Sequence, residues 1–116
     1  MNMLFILNDP PYGTERCYNG LRLAGAVAKR EGESVRVFLM GDAAACAKRG
    51  QTVPNGYYNL NRMLHSLTLH KAEIGVCGTC MDARGITAEE LVEGSKRSTL
   101  GELAEWTTAA DTVIVF

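Results

Sequence analysis

The sequence predicts a three-layer α/β/α fold built around a mainly parallel sheet of four or five strands. Short and nearly continuous apolar runs, as strands buried on both faces require, alternate with segments of helical periodicity. Strands that are joined through helices run parallel and lie between helical layers. With 116 residues, of which 47% are hydrophobic, the chain is expected to form one domain spanning 1–116.

Four short runs are assigned to strands, and a fifth segment is a further candidate. Three of the four runs are almost entirely apolar. The fifth segment contains three consecutive polar residues, which is unusual for a buried strand. The predicted strands are 3–7, 35–40, 73–76 and 112–116, with the additional short strand at 94–97.

Helices are predicted between the strands from apolar spacing and from capping residues. Leu60, Met63, Leu64 and Leu67 recur at the spacing of an amphipathic helix. Thr and Asp are suited to start helices, and Thr followed by Glu three residues later forms a capping box. The predicted helices are 15–30 capped by Thr14, 42–50 capped by Asp42, 60–70, one starting at Ala88 with the box Thr87 and Glu90, and one starting at Leu100 with the box Thr99 and Glu102.

The charge balance and the N-terminal run limit the possible function classes. Twelve Lys and Arg against thirteen Asp and Glu give a net charge of −1, which argues against nucleic acid or an anionic membrane as the main partner. The apolar run at 3–7 is too short for a signal peptide or a membrane span, so we expect a cytoplasmic protein. Cytosolic thiols are kept reduced, and the four cysteines are therefore interpreted as core residues, metal ligands or redox groups.

The main candidate site is the segment Cys77-Gly78-Thr79-Cys80, which directly follows the third strand. Reactive groups in an open parallel sheet gather beyond the carboxyl ends of the strands. A short helix stopped by Gly85 would bring Cys80 and Arg84 onto the same face as Cys77. A helix N-terminus and a nearby cation lower a thiol pKa from its usual value of about 8.5. Gly78 lets the backbone approach a bound anion closely.

Other interpretations of this cysteine pair remain open. Both cysteines can be small buried hydrophobic residues, or a thioredoxin-like dithiol, although that motif normally opens a long helix. A structural zinc site needs four ligands, usually from two short-spaced pairs, and the chain offers only one such pair. The remaining thiols and imidazoles are scattered along the chain. These are Cys17 and Cys46, which we expect in the core, together with His65 and His70.

Two residues after the first strand are candidate ligand-binding residues. Asn8 and Tyr12 belong to the segment that leaves this strand at the end of the sheet where Cys77 is expected. The same segment, with two consecutive prolines, is also typical of an ordinary turn.

Several motifs, in the same order along the whole chain, resemble one known family. The stretch C-x-x-C-x-x-x-R-G-I at 77–86 resembles the DsrE/DsrF-like proteins, and their YchN-type branch in particular. The resemblance implies a single DsrE-like domain with a parallel-sheet α/β/α fold. The other similar motifs are Pro11-Tyr12-Gly13, Leu21-Arg22-Leu23-Ala24, Phe38-Leu39-Met40 with Asp42-Ala43, Arg49-Gly50-Gln51, Leu103-Ala104-Glu105-Trp106-Thr107 and Ala110-Asp111.

The resemblance also implies an assembly and a chemistry. It implies homotrimers or hexamers and a place among sulfur-handling proteins, with a sulfur donor or acceptor protein as partner. In the sulfur-relay members, a cysteine seven residues before an Arg-Gly carries persulfide, and Cys77 holds that position before Arg84. The chain departs from those members at Cys80, because they are similar in having a lone cysteine. A second thiol within reach can attack a Cys77 persulfide, expel sulfide and leave a disulfide.

Two functional hypotheses follow. In the first, Cys77 accepts sulfur as a nucleophile, Arg84 stabilises its anion and Cys80 resolves it. In the second, the chain is a non-catalytic oligomeric module that binds a small anion or a partner protein at the same cleft. The irregular loop 50–58 contains two tyrosines that are candidate anchors of an interface between subunits. No metal and no cofactor are predicted.

Overall fold

A single five-stranded sheet, parallel throughout, forms the centre of the molecule in the computed structural model, which describes residues 1–116. The strands are β1 (Asn2–Leu7), β2 (Ser34–Leu39), β3 (Glu73–Cys77), β4 (Ser95–Ser98) and β5 (Thr112–Val115). Their order across the sheet is β4-β3-β2-β1-β5, and every neighbouring pair is parallel. The predicted fold class is confirmed, and the polar segment near residue 95 does form an edge strand.

The helices cover both faces of this sheet. They are α1 (Arg16–Ala28), α2 (Leu60–Leu69), α3 (Gly78–Ala83) and α4 (Leu100–Ala109), with two 3-10 helices at Gly41–Ala47 and Ala88–Glu90. The first 3-10 helix packs with α1 and α2 on one face, and α4 packs on the other. None of these helices has the length and apolar character that crossing a membrane requires.

Two hydrophobic cores of unequal size lie on the two faces. The larger one contains 22 buried residues under α1, α2 and the first 3-10 helix. The smaller one, under α4, consists of five residues: Leu4, Phe38, Cys77, Leu103 and Trp106. Cys80 packs against both cores. The cysteine pair therefore lies where the two cores meet, at the carboxyl end of the sheet.

Two helix starts and one capping box differ from their predictions. Helix α1 begins at Arg16 and not at residue 15, because Glu15 occupies the cap position while the Thr14 hydroxyl accepts from the Arg16 amide at 3.3 Å. The predicted two-turn helix at 42–50 is a 3-10 helix in which four small side chains are buried. Before α4, the Thr99 hydroxyl accepts from the Glu102 amide, as predicted, but the Glu102 carboxylate accepts from the Ser98 hydroxyl instead of completing a capping box.

The register of the sheet brings three chain segments together at its carboxyl edge. Leu7 pairs with Leu39, and Leu39 pairs with Val76. The residues that come directly after Leu7, Leu39 and Val76, which are Asn8, Met40 and Cys77, are therefore neighbours in space. This edge is where open parallel sheets place their ligands.

Candidate functional site

The site is built on a direct junction between β3 and α3. Cys77 is the last residue of the strand and also the N-cap of the helix, so no loop separates the two elements. Its Sγ accepts a hydrogen bond from the Cys80 backbone N–H at 3.4 Å and lies 3.4 Å from the Thr79 hydroxyl. This is the capping role that a serine or aspartate oxygen often has, here taken by sulfur. The Cys77 sulfur is therefore folded back over the first turn of α3.

The Cys80 sulfur has a different backbone donor. It accepts from the Gly41 N–H at 3.1 Å, where the chain leaves β2 and begins the first 3-10 helix. Gly41 has a positive φ of 54°, a conformation that glycine adopts without the steric cost of a side chain. The Asn8 carbonyl oxygen lies beside the same glycine. Each of the two thiols is thus held by a separate amide from a separate element.

The surroundings push the two thiols toward opposite protonation states. Burial tends to raise the pKa of Cys77, but hydrogen bonds from the Cys80 thiol, from Thr79 and from the backbone outweigh it and hold that pKa below its ordinary value. Burial and the hydrogen bond to Cys77 raise the pKa of Cys80, and the Gly41 amide offsets this only partly. The pair therefore favours a Cys77 thiolate that accepts a hydrogen bond from a protonated Cys80.

Arg84 lies on the Cys80 side of the pair. Its guanidinium donates to Asp42 Oδ1 at 2.7 Å and 3.1 Å and to the Cys80 carbonyl oxygen at 3.0 Å. Helix α3 ends at Ala83, so Arg84 is its C-cap and not part of its helical face. The structure therefore places Arg84 just beyond the predicted helical face, and its role toward the Cys77 anion stays a prediction. The predicted stop at Gly85 is confirmed by its positive φ of 65°.

A second arginine, Arg97, approaches the Cys77 side of the site and was not predicted from the sequence. It lies on β4 opposite Val76, and its guanidinium forms two hydrogen bonds to the carboxylate of Asp82, at 2.7 Å and 2.9 Å. A Cβ on Gly78 would lie 2.9 Å from the Arg97 guanidinium carbon. The signal that identifies it is the parallel register of β3 and β4, which the sequence alone did not provide.

The three predicted ligand-binding residues have different positions. Gly78 is buried as the first residue of α3 and is in contact with the Arg97 guanidinium. Asn8 is close to the site through Gly41, but its backbone and side-chain amides both donate to the carbonyl of Phe116. The Tyr12 hydroxyl accepts from the Leu60 amide at the start of α2. Ligand binding by these residues stays a prediction.

The other two cysteines form a second pair. Cys17 and Cys46 are fully buried, as predicted, and both thiols approach the Asp9 carbonyl oxygen, at 2.9 Å and 4.0 Å. Their mutual hydrogen bond lowers the pKa of Cys17 and, together with burial, raises that of Cys46. They are therefore not scattered, as their separate positions in the sequence suggested. No group of three or more His, Cys, Asp or Glu side chains is arranged to hold a metal ion.

The geometry at Cys77 and Cys80 is suited to nucleophilic sulfur chemistry. The thiolate is the nucleophilic form of cysteine, and a neighbouring thiol can supply a proton or attack a bond formed at the first sulfur. Cys77 is 9% exposed and therefore largely buried, whereas Cys80 is half-buried. A thiol of lowered pKa with a second thiol on the next turn of the chain is chemically able to act as a nucleophile.

Comparisons with known proteins agree on one family. The model of the DsrE/DsrF-like family matches residues 1–116. Protein YchN of Escherichia coli is 44% identical over 117 residues, covering 98% of this chain and 97% of that protein. The uncharacterized protein MJ0989 of Methanocaldococcus jannaschii is 35% identical over 116 residues and covers both chains completely.

Solved structures show the same fold. The crystal structure of the Escherichia coli ychN protein has a TM-score of 0.94 and 41% identity, and the match covers 100% of this chain and 99% of that one. Protein MTH1491 of Methanobacterium thermoautotrophicum, described as of unknown function, has a TM-score of 0.77 at 16% identity, covering 99% of this chain and 98% of that one. The second likeness concerns the fold alone.

The opposite pKa directions of the two thiols predict an order of alkylation. At pH 7, iodoacetamide should label Cys77 before Cys80, because a lower pKa leaves more of the Cys77 thiol ionised. Cys80 is the more exposed of the two, so an order set by access alone would be the reverse. Peptide mapping after limited reaction measures the order, with a denatured sample as the control in which the difference should vanish. Equal rates in the folded protein, or faster labelling of Cys80, would contradict the assignment.

Proposed function

The chain belongs to the DsrE/DsrF-like family, and from this premise we propose that it accepts a sulfane sulfur atom on Cys77 and passes it on with the participation of Cys80. The family is associated with sulfur relay in general. The observation that carries the proposal is a pair of neighbouring thiols at the carboxyl edge of the sheet, with the Cys77 sulfur 3.4 Å from the Cys80 amide and the Cys80 sulfur 3.1 Å from the Gly41 amide. The opposite pKa directions of the two thiols support it. A single buried cysteine that only packs in the core does not require a second thiol beside it.

The uptake step is a nucleophilic displacement on a persulfide donor. The Cys77 thiolate attacks the terminal sulfur of a donor R–S–SH, so that a bond forms between Cys77 Sγ and that sulfur while the S–S bond of the donor breaks. The electron pair of the broken bond leaves with the donor as R–S⁻. The product is Cys77–S–SH, and no external oxidant or reductant is consumed.

Release from Cys77 can follow two balanced routes. An acceptor thiolate can take the terminal sulfur, which regenerates the Cys77 thiolate. Alternatively, the Cys80 thiol attacks Cys77 Sγ, which expels hydrogen sulfide and leaves a Cys77–Cys80 disulfide. The second route requires two equivalents of an external thiol to restore the dithiol. Sulfur donors and acceptors are therefore small persulfides and thiols, or proteins that carry these groups.

The buried neighbours of Cys77 support its role as the acceptor. Its sulfur rests on the first turn of α3, and the residue belongs to the smaller core together with Leu4, Phe38, Leu103 and Trp106. Apolar surroundings disfavour a charged sulfur, so the hydrogen bonds from Thr79 and Cys80 are what keep the anion stable.

The proposal also includes a homo-oligomer, a trimer or a hexamer. The exposed surface contains large hydrophobic side chains that a subunit contact would cover. Tyr57 is 51% exposed and stacks on Tyr58 with ring centroids 4.4 Å apart. Tyrosine is enriched among the residues that anchor protein interfaces.

Removing Cys80 should lengthen the lifetime of the persulfide on Cys77. After incubation with a small-molecule persulfide donor, the Cys80→Ser variant should retain a mass increase of one sulfur atom, because the resolving thiol is missing. Cys77→Ser is the matched control and should accept none. Intact-mass measurement over time follows both variants and the unmutated chain.

The outcomes of this experiment separate the possible roles. Equal lifetimes in Cys80→Ser and the unmutated chain would mean that Cys80 is only a packing residue. Sulfur accepted by Cys77→Ser but not by Cys80→Ser would reverse the two roles. No sulfur on any variant, with the fold intact, would contradict the proposed function and favour a module that only binds.

Light scattering at micromolar concentration tests the assembly. We expect the mass of three or six chains. If the tyrosines anchor the contact, Tyr57→Ser should shift the distribution toward smaller species, whereas Tyr57→Phe, which keeps the stacked ring, should not. A monomer mass for the unmutated chain would contradict an oligomer.

A further inference from the structure

The backbone of Gly78 is in close contact with the Arg97 guanidinium. A Cβ added to Gly78 would lie 2.9 Å from the Cζ and Nε atoms of Arg97 and 3.0 Å from its second terminal nitrogen, closer than real Cβ contacts occur. The guanidinium can occupy this space only because residue 78 is a glycine and has no side chain. Gly78 directly follows Cys77, so the positive charge lies beside the residue that carries the reactive sulfur.

Two independent contacts fix this position. The parallel register pairs Val76 with Arg97 and Cys77 with Ser98, which sets the base of the arginine side chain next to the end of β3. Asp82, one turn along α3 from Gly78, binds the guanidinium through both carboxylate oxygens at 2.7 Å and 2.9 Å. A planar guanidinium held by two parallel hydrogen bonds has a defined orientation.

We propose that Arg97 is the positioning residue whose charge stabilises the Cys77 thiolate, and that the ion pair with Asp82 holds it in place for this purpose. The inference rests on the proposed use of Cys77 as a nucleophile. Arg84 has its hydrogen bonds on the other side of the pair, with Asp42 and the Cys80 carbonyl. In support, the pKa of Arg97 is raised, mainly by Asp82 and further by the charge on Cys77.

The positive charge of Arg97 would assist both the uptake of sulfur by Cys77 and its transfer to an acceptor. In uptake it increases the fraction of Cys77 that is ionised and able to attack. In direct transfer to an acceptor thiol it stabilises the Cys77 thiolate as the leaving group. Arg97 is itself neither consumed nor deprotonated in either half, because a guanidinium keeps its proton at all relevant pH values.

The test is the pH profile of Cys77 alkylation by iodoacetamide, followed by mass spectrometry of the peptide that contains Cys77. Arg97→Gln should move the profile to higher pH by about half to one pH unit, which corresponds to an alkylation rate about 3- to 10-fold slower on the acidic limb. Arg97→Lys keeps the charge and should recover most of the rate. Arg36→Gln, which removes an arginine paired with Glu73 at the opposite end of the sheet, is the matched control and should leave the profile unchanged.

A second variant tests the geometry without removing a charge. Gly78→Ala places a methyl group where the guanidinium lies, so it should displace Arg97 and move the profile in the same direction as Arg97→Gln. Combining the two substitutions should produce no further shift, because the displaced charge is then already absent. Additive shifts would mean that Gly78→Ala acts on Cys77 by another route and would contradict the assigned contact.

Failure of this inference is distinguishable from failure of the proposed function. An unmutated Cys77 that titrates like an ordinary thiol and accepts no sulfur would contradict the proposed function. An activated Cys77 with the same profile in Arg97→Gln, or with a larger shift in Arg84→Gln, would overturn the role of Arg97 alone.

Discussion

Cys77 ends β3 and caps α3 in the same residue, and the geometry of the site depends on this junction without a loop. A strand residue would normally direct its side chain away from the sheet, here toward the smaller core under α4. Cys77 belongs to that core, and its capping role also places the sulfur over the first turn of α3, where it meets the Cys80 amide. Any residue inserted between strand and helix would separate the sulfur from that amide and from its neighbouring thiol. The junction thus determines which groups reach the sulfur.

The asymmetry between the two thiols follows from their different surroundings. Cys77 accepts from Thr79 and from Cys80, whereas Cys80 donates toward Cys77 and has a single backbone donor, Gly41, from the end of β2. The parallel register of β2 and β3 brings that amide to the site, so the protonation states depend on the sheet as much as on the cysteine motif. On the other side of β3, the strand β4 places Arg97 next to the end of β3. Groups from three neighbouring strands therefore converge on one short helix.

The sequence was sufficient for the fold and for the position of the cysteine pair within it, but not for the contacts around that pair. Buried strands need apolar runs and helices need periodic ones, so both leave a pattern along the chain. The position of Cys77 at the junction of strand and helix followed from the apolar run that precedes it, whereas its capping role is seen only in the structure. Arg97 could not be assigned, because its proximity to Cys77 depends on the register between β3 and β4, and register is not encoded in a polar edge strand.

The proximity of Cys17 and Cys46 was missed for a similar reason, because these residues belong to elements that are far apart in the sequence. The hydrogen bonds of Arg84 to Asp42 could not be predicted either, because Asp42 belongs to a different element that is distant in the sequence.

The central claim is that the pKa values of two neighbouring thiols are moved in opposite directions, and site-specific carbon-13 NMR of the cysteine Cβ atoms tests it most directly. Titration between pH 5 and pH 10 should show the Cys77 Cβ resonance shifting at lower pH than that of an ordinary thiol, and the Cys80 resonance shifting at higher pH. Because the two sites interact, each curve should also show a small inflection at the pH where the other thiol ionises. If the two resonances titrate together near the usual cysteine pKa of about 8.5, or in the reverse order, the account of the site is wrong.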